Sequence, residues 1–239
     1  MNNIGIGIMC FGDGYYHTGA QEKIEAFTRL GLPIYVLTDR PELYASVFIT
    51  EYNRDVKSYH DKMLLVKLIL KRHDIAILID ADLHIHNFDI LRELTTYEFQ
   101  KGITYIDTMG SHLLQKNYIG EFDMSQLEWA YYKAYLNYIY PQHNELETIW
   151  EYLLIVNKDG LNDDFFKEYE KLQIAKEFSE LTLNKEIIGP GEGMSIAVAS
   201  KITNTIIQRD LLLYNKLKDN LVNISRKFTK TEFLPDFLK

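Results

Sequence analysis

Two aspartates separated by one small residue, Asp80-Ala81-Asp82, follow directly on the five apolar residues 75–79. Such an apolar run is typical of a buried strand, so both carboxylates are expected together where that strand ends. Two neighbouring charges in a buried place cost free energy unless a partner compensates them. Mg²⁺ or Mn²⁺ can do so, because these ions bind one or two carboxylates together with phosphate oxygens of a substrate. The motif predicts a metal site, with a solvent-exposed Asp-x-Asp turn as the alternative.

The elements before this motif alternate between strands and helices. Strands are predicted at residues 4–9, 33–37, 48–49 and 75–79, and helices at residues 18–30 and 61–71. That alternation implies a mostly parallel sheet covered by helices. Ligands of such sheets bind beyond the carboxyl ends of the strands, which here lie near Phe11, Asp39 and Asp80.

The second half of the chain has a less regular pattern. We predict a helix at residues 125–140, a strand at 152–156, a helix at 163–180 and a loop at 187–191. A helix from residue 192 into the Ala/Ser run follows, with further helix through residue 221. No linker rich in Pro, Gly or Ser divides the chain. We therefore expect one α/β domain over residues 1–200, with residues 201–239 as a helical C-terminal extension packed on that domain.

The charge of the chain narrows its range of partners. Its 239 residues carry a net charge of −8, which argues against nucleic acid because phosphate neutralisation requires surplus Lys and Arg. Residues 201–239 nevertheless contain eight Lys/Arg and four Asp/Glu, a net of +4 that leaves −12 for residues 1–200. This basic segment either packs on the acidic body or makes a weak contact with an anionic membrane surface.

The cysteine content and the N-terminus indicate a compartment. A single cysteine, Cys10, permits no intramolecular disulfide and favours a reducing environment. The first residues lack the basic segment followed by an apolar run that a signal peptide requires. We expect a cytoplasmic protein, peripheral to the inner face of a membrane if the basic segment contacts lipid.

The order of these elements and motifs resembles the GT-A glycosyltransferases. In that family an N-terminal strand and loop, a strand ending in Thr-Asp-x-Pro and a Lys-bearing helix precede an Asp-x-Asp motif. The corresponding segments here are residues 6–11, 35–41, 59–63 and 79–82. The resemblance covers residues 4–87 well and continues faintly through residues 150–158. The layout is nearest to retaining families of the histo-blood-group or glycogenin type, and the fold it implies is a mixed, mostly parallel sheet flanked by helices.

The resemblance implies an activity and a set of site residues. A sugar would pass from a nucleotide-sugar donor, expected to be UDP-linked, to a hydroxyl of a glycan, glycolipid or protein acceptor. Mn²⁺ or Mg²⁺ would bind the diphosphate of the donor. Asp82 would chelate the metal directly, and Asp80 would be shared between ribose and metal. The remaining donor contacts would come from Cys10, Phe11, Thr38, Asp39, Lys62 and Ala81. For Asp39 the alternative is a turn role, and for Lys62 a solvated helix position.

A carboxylate near the donor sugar completes the expected machinery. Glu192, in Gly189-Pro190-Gly191-Glu192-Gly193, precedes a predicted helix and is the first candidate, with an ordinary helix-start role as its alternative. Glu151 is the second candidate and Glu147 a weaker third. The chain departs from the pattern of many metal-dependent members because no histidine follows His143 to act as a late metal ligand.

Two other functions remain open at this point. A phosphotransferase of the haloacid-dehalogenase type also places Asp-x-Asp after a buried strand, with the first aspartate as nucleophile. A non-catalytic module that binds a nucleotide sugar would keep the fold without the chemistry, and the presence of both Asp80 and Asp82 speaks against it. Hydrolysis of a nucleotide sugar with and without Mn²⁺ distinguishes these functions.

Overall fold

A computed structural model describes residues 3–12, 14–44, 48–51, 61–85, 87, 89, 91–105, 112–113, 140–141, 147–149, 153–173, 192–217 and 221–223. Its strands are β1 (Ile4–Cys10), β2 (Ile34–Thr38), β3 (Phe48–Glu51), β4 (Ile75–Asp80), β5 (Leu83–Ile85), β6 (Gly102–Tyr105), β7 (His112–Leu113), β8 (Glu147–Thr148), β9 (Leu153–Asn157), β10 (Ile207–Arg209) and β11 (Leu221–Asn223). Its α-helices are α1 (Gly14–Arg29), α2 (Lys62–Leu70), α3 (Leu91–Thr96), α4 (Phe165–Gln173), α5 (Glu192–Thr203) and α6 (Leu211–Leu217).

Seven of these strands form one mixed sheet in the order β10-β6-β9-β4-β1-β2-β3. Strand β1 pairs in parallel with β2 and β4, and β3 continues the parallel run beside β2. Strand β9 lies antiparallel between β4 and β6, and β10 pairs in parallel with β6 at the edge. The predicted fold class, a mixed and mostly parallel sheet flanked by helices, is confirmed.

The sheet is covered on both faces, as the continuous apolar runs of its strands predict. All seven residues of β1 are buried, and alternate positions contribute to two separate hydrophobic clusters. One cluster joins the sheet to helices α2, α4 and α5, and the other joins it to α1, α3 and α6. Because side chains of a strand alternate between its faces, this division follows directly from the strand geometry.

Two glycines of β1 determine how closely helix α2 approaches the sheet. A Cβ on Gly5 would overlap the side chains of Ile69 and His73, and one on Gly7 would overlap Leu78 and Ile69. The absence of side chains at these positions lets α2 lie close against the centre of the sheet. The first residue of that helix, Lys62, is thereby placed near the carboxyl end of β4.

The C-terminal part differs from the helix predicted through residue 221. Helix α5 ends at Thr203, and Asn204 adopts a left-handed conformation with φ of 55°, which stops the helix. The chain then enters β10, a strand that the sequence does not predict, before α6 begins. The extension therefore contains the expected helix and also two short strands, one of them in the main sheet. The domain boundary at residue 200 stays a prediction.

Asp210 anchors the start of helix α6. Its Oδ1 accepts a hydrogen bond from the backbone N–H of Leu213 at 2.9 Å, and its Oδ2 accepts one from the hydroxyl of Tyr97 at 2.6 Å. Burial, together with the hydrogen bond to Asp210, raises the pKa of Tyr97 to about 12, so the phenol remains protonated and a donor. This pair ties the C-terminal segment to the region after helix α3.

Some predicted elements lie outside the described residues. Of the helix predicted at 125–140 only Tyr140 is described, and the loop predicted at 187–191 is not described. Helix α4 accounts for residues 165–173 of the helix predicted at 163–180. None of the described helices combines the length and the hydrophobicity that crossing a bilayer requires.

Candidate functional site

The carboxyl ends of three parallel strands meet at one edge of the sheet. In the register of the sheet, Cys10 at the end of β1 lies opposite Thr38 at the end of β2. On the other side of β1, Met9 lies opposite Asp80, the last residue of β4. The structure thus brings together three strand ends that are separated in the sequence. This is the edge at which sheets of this type bind ligands.

Asp80 forms an ion pair with Lys62. The Nζ of Lys62 lies 2.5 Å from Oδ1 of Asp80, and the two side chains are only 9% and 16% exposed. Burial raises the pKa of Asp80, and the charge of Asp82 acts in the same direction, while Lys62 opposes both. Removing Lys62 would leave a mostly buried carboxylate without this compensation. The sequence predicted both residues at the site, but it did not predict that they contact each other.

The two following residues make the turn between β4 and β5. Ala81 is buried, and Asp82 is half-buried. Burial raises the pKa of Tyr15 on helix α1, and the negative charge of Asp82 raises it further. The Tyr15 ring therefore lies in the electrostatic field of the Asp82 carboxylate. Strand β5 starts at Leu83 and pairs with β11. The turn is therefore fixed by a paired strand before it, β4, and a paired strand after it, β5.

The donor set of this turn fits a divalent cation that also binds phosphate. Among the described residues, no group of three or more His, Cys, Asp or Glu side chains could hold a metal ion. Two carboxylates are sufficient for Mg²⁺ or Mn²⁺ when phosphate oxygens and water supply the other ligands. The predicted pair Asp80 and Asp82 would hold the ion. Two histidines follow the motif in the sequence and could in principle assist: His84 belongs to β5, opposite Val222, and His86 lies outside the described residues.

A buried lysine that the sequence analysis did not single out contacts the same turn. Lys23 on helix α1 is 2% exposed, and its ammonium donates hydrogen bonds to the carbonyl oxygens of Ala81 at 2.8 Å and Gly19 at 3.0 Å. Burial lowers its pKa to about 8. A signal was present in the sequence, because Lys23 occupies the apolar stripe of α1 with Ala20 and Phe27 at helical spacing.

Asp39 binds the backbone that follows β1. Both of its carboxylate oxygens accept from the backbone N–H of Gly12, at 3.2 and 3.3 Å, and Gly12 has a positive φ of 80°. The Nε2 of His17 lies 3.5 Å from Oδ1 of Asp39. Burial lowers the pKa of His17, and Asp39 opposes that shift. These contacts give Asp39 a role in the turn, and its contact with the donor stays a prediction.

The side chains of Cys10 and Thr38 face the protein interior. The Sγ of Cys10 lies 3.1 Å from the hydroxyl of Tyr44, which in turn lies 2.6 Å from Nδ1 of His17. The Oγ1 of Thr38 accepts from the backbone N–H of Arg40 at 3.1 Å. Their contacts with the donor stay a prediction, and because both side chains are buried such contacts would have to use the backbone. Phe11 is half-buried and packs against the cluster that contains helix α2.

The structure does not test the candidate catalytic carboxylates. Glu192 is the first residue of α5, as predicted for a helix start, but its side chain lies outside the described residues. Glu151 is not described, and Glu147 is described only as part of strand β8. Leu153 lies opposite Ile79, so β9 starts at the edge of the sheet where β4 ends. Glu192 and Glu151 stay predictions.

Solved structures resemble this chain to different degrees. A glycosyltransferase involved in the glycosylation of the major capsid of PBCV-1 superposes with a TM-score of 0.52 at 11% identity, over 93% of this chain and 92% of that chain. The galactosyltransferase LgtC in complex with donor and acceptor sugar analogs has a TM-score of 0.46 at 12% identity, covering 91% and 84%. Glucosyl-3-phosphoglycerate synthase from Mycobacterium tuberculosis, in complex with Mn²⁺, UDP and phosphoglyceric acid, has a TM-score of 0.44 at 12% identity, covering 87% and 68%.

At these identities the likeness concerns the fold and not the activity. No protein-family model and no curated protein matches the sequence. The capsid glycosyltransferase nevertheless matches nearly the whole of both chains, and the topology of the sheet agrees with the expected order of elements. The chain has the GT-A fold, as its sequence motifs predicted.

Proposed function

We propose that the protein is a metal-dependent glycosyltransferase. It moves a sugar from a UDP-linked donor to a hydroxyl of a glycan, glycolipid or protein acceptor, with Mn²⁺ or Mg²⁺ on the diphosphate. The observation that carries this proposal is the Asp80-Ala81-Asp82 turn at the carboxyl end of β4, with Lys62 2.5 Å from Asp80. The GT-A fold, which the capsid glycosyltransferase shares, supports the same reaction class.

The turn and the elements beside it each contribute to donor binding. Asp82 and Asp80 would hold the divalent ion, which would supply positive charge against the nucleoside diphosphate that leaves. Lys62, at the start of α2, adds a fixed positive charge beside that site, and preorganised charges of this kind lower the barrier because they need no rearrangement during the reaction. The loop braced by Asp39 and Gly12 lies at the end of β1, where the nucleoside would bind.

The direct test measures hydrolysis and transfer of UDP-glucose, UDP-galactose and UDP-N-acetylglucosamine, each with Mn²⁺ and with a chelator. Metal-dependent release of UDP is the expected result. Binding of UDP without turnover of any donor would favour the non-catalytic module. Release of inorganic phosphate from a phosphomonoester would favour the haloacid-dehalogenase-type phosphotransferase, in which the first aspartate is the nucleophile.

Glu192 is proposed as the carboxylate that acts near the donor sugar. It would orient the sugar hydroxyls or accept the acceptor proton, and Glu192→Gln keeps its size while removing the charge. The expected result is a kcat lower by about a hundredfold with little change in nucleotide affinity. Glu25→Gln is the matched control, because Glu25 is exposed on α1 and pairs only locally with Arg29 among the described contacts. A kcat within a few-fold of the parent would assign Glu192 to the helix start alone and favour Glu151.

The basic C-terminal segment is proposed to contact an anionic membrane surface from the cytoplasmic side. Residues 201–239 carry a net charge of +4, with eight Lys/Arg and four Asp/Glu, and Leu211 and Leu212 of helix α6 are 53% and 73% exposed. Ending the chain at Asn223 removes four of these Lys/Arg and two of the Asp/Glu, a net of +2, and should therefore reduce binding to anionic vesicles. Salt should weaken the binding that remains. Vesicles of neutral lipid are the control. Binding by neither chain would leave packing on the acidic body as the explanation, and equal binding by both would assign the contact to residues before 224.

A further inference from the structure

Helix α1 is fastened to the turn between the two aspartates. Lys23 is 2% exposed, and its ammonium donates to the carbonyl oxygen of Ala81 at 2.8 Å. The same ammonium donates to the carbonyl oxygen of Gly19, one helical turn earlier, at 3.0 Å. Residues four positions apart lie on one face of a helix, so Gly19 and Lys23 face the turn together. The peptide group between Ala81 and Asp82, to which this carbonyl belongs, is thus held by this helix face.

Gly19 makes that close contact possible. A Cβ at position 19 would overlap the carbonyl oxygen of Ala81, which is backbone and cannot rotate away as a side chain could. Glycine within a helix costs about 0.5–1 kcal/mol relative to alanine. At Gly14, the first residue of the same helix, an added Cβ would meet nothing in the described structure within 4 Å beyond its chain neighbours and the backbone of its own helix. The requirement for glycine therefore belongs to position 19.

Stability of the fold alone does not account for Lys23. Burying an ammonium is costly, and in the described part of the chain its hydrogen-bond acceptors are two neutral carbonyl oxygens. Burial lowers the pKa of Lys23 to about 8, while the charges of Glu22, Asp82 and Asp80 oppose the shift. A methionine would fill a similar volume without the desolvation cost. What a methionine would not do is hold the Ala81 carbonyl.

We propose that Gly19 and Lys23 are positioning residues for the metal site, because they fix the Ala81 carbonyl and thereby the placement of the Asp80 and Asp82 carboxylates. This inference rests on the proposed function. Both residues act through the backbone of the turn. Neither is expected to touch the metal or the donor.

The first experiment compares Gly19→Ala with Gly14→Ala in the full-length chain. Calorimetry of UDP binding, with and without Mn²⁺, measures how much the metal strengthens nucleotide affinity. We expect Gly14→Ala to keep the parent's Mn²⁺ enhancement and Gly19→Ala to lose at least about tenfold of it, because a placement error of about 1 Å has effects of this size or larger. UDP affinity without metal should be unchanged in both variants. Thermal unfolding shows whether each variant is folded.

The second experiment uses Lys23→Met, with Lys67→Met on half-buried Lys67 as its control. Removing a positive charge near a cation site should by itself strengthen Mn²⁺ binding, since like charges repel. A loss of Mn²⁺ enhancement of about tenfold, the expected result for a misplaced turn, therefore cannot come from the charge. Lys23→Arg, which keeps a charged donor, should recover part of the loss. If Gly19→Ala does not fold, Lys23→Met alone tests the inference.

The outcomes separate this inference from the proposed function. If the parent shows Mn²⁺-enhanced UDP binding but Gly19→Ala matches Gly14→Ala, the positioning role of Gly19 is wrong. If Lys23→Met equals or exceeds the parent in Mn²⁺ enhancement, the positioning role of Lys23 is wrong. In both cases the proposed function stands. A parent whose UDP binding is indifferent to Mn²⁺ would overturn the proposed function and this inference with it.

Discussion

Asp82→Asn is expected to abolish the Mn²⁺ dependence of donor binding and to lower kcat/KM for transfer by about a thousandfold or more, since the metal supplies several kcal/mol of charge stabilisation. The substitution keeps the size of the side chain and removes one of the two carboxylates at the turn. Asp82 is only half-buried, so its loss should leave the fold intact. Calorimetric titration of UDP with and without Mn²⁺ measures the effect independently of turnover.

The control for this prediction is Asp163→Asn, which changes an exposed aspartate in a turn before helix α4. It should retain the parent's metal enhancement and its kcat/KM. Unchanged Mn²⁺-dependent affinity in Asp82→Asn would contradict the assignment of the metal to this turn. The two-carboxylate donor set would then have to be abandoned.

Lys62→Met is expected to have two effects with different origins. Loss of a preorganised charge beside the diphosphate should lower kcat by about a hundredfold or more. Loss of the partner of Asp80, at 2.5 Å and mostly buried, should also destabilise the fold by about 3 kcal/mol, because an unpaired carboxylate remains. Steady-state kinetics measures the first effect, and denaturant unfolding measures the second.

The double variant Lys62→Met/Asp80→Asn separates these effects. Removing the stranded charge should restore most of the stability lost in Lys62→Met, whereas activity should stay low because both charges act on the donor. Lys67→Met, on the same helix but 41% exposed, is the control for the loss of a lysine. A Lys62→Met variant with a kcat within a few-fold of the parent would restrict Lys62 to a structural ion pair.

The local sequence was sufficient to predict the strands that form the site. β1, β2 and β4 are short apolar runs followed by turn-forming or acidic residues, and the structure places all three as neighbouring parallel strands. A pattern of this kind can be recognised without long-range information because a strand buried on both faces must be apolar along its length. The ends of these strands, and therefore Asp80 and Asp39, could be located from the same pattern.

The position of the antiparallel strand could not be predicted in this way. β9 appears in the sequence as one more apolar run, yet it lies between β4 and β6 with the opposite direction. Strand β10, only three residues long and outside the predicted pattern, joins the sheet by pairing with β6. Pairing partners and direction depend on contacts between distant segments, which periodicity along one segment does not contain.

The sequence by itself determined which residue types stand at the carboxyl ends of the strands: Asp39, Asp80 and Asp82, with Lys62 on the helix that precedes β4. Only the tertiary structure decided that Lys62 contacts Asp80 and that Lys23, 58 positions from Ala81 in the sequence, holds the turn. The physical reason is that burying a charge carries a desolvation cost, which only a partner supplied by the fold can offset. That partner comes from another element, so the packing of α1 and α2 on the sheet completes the site.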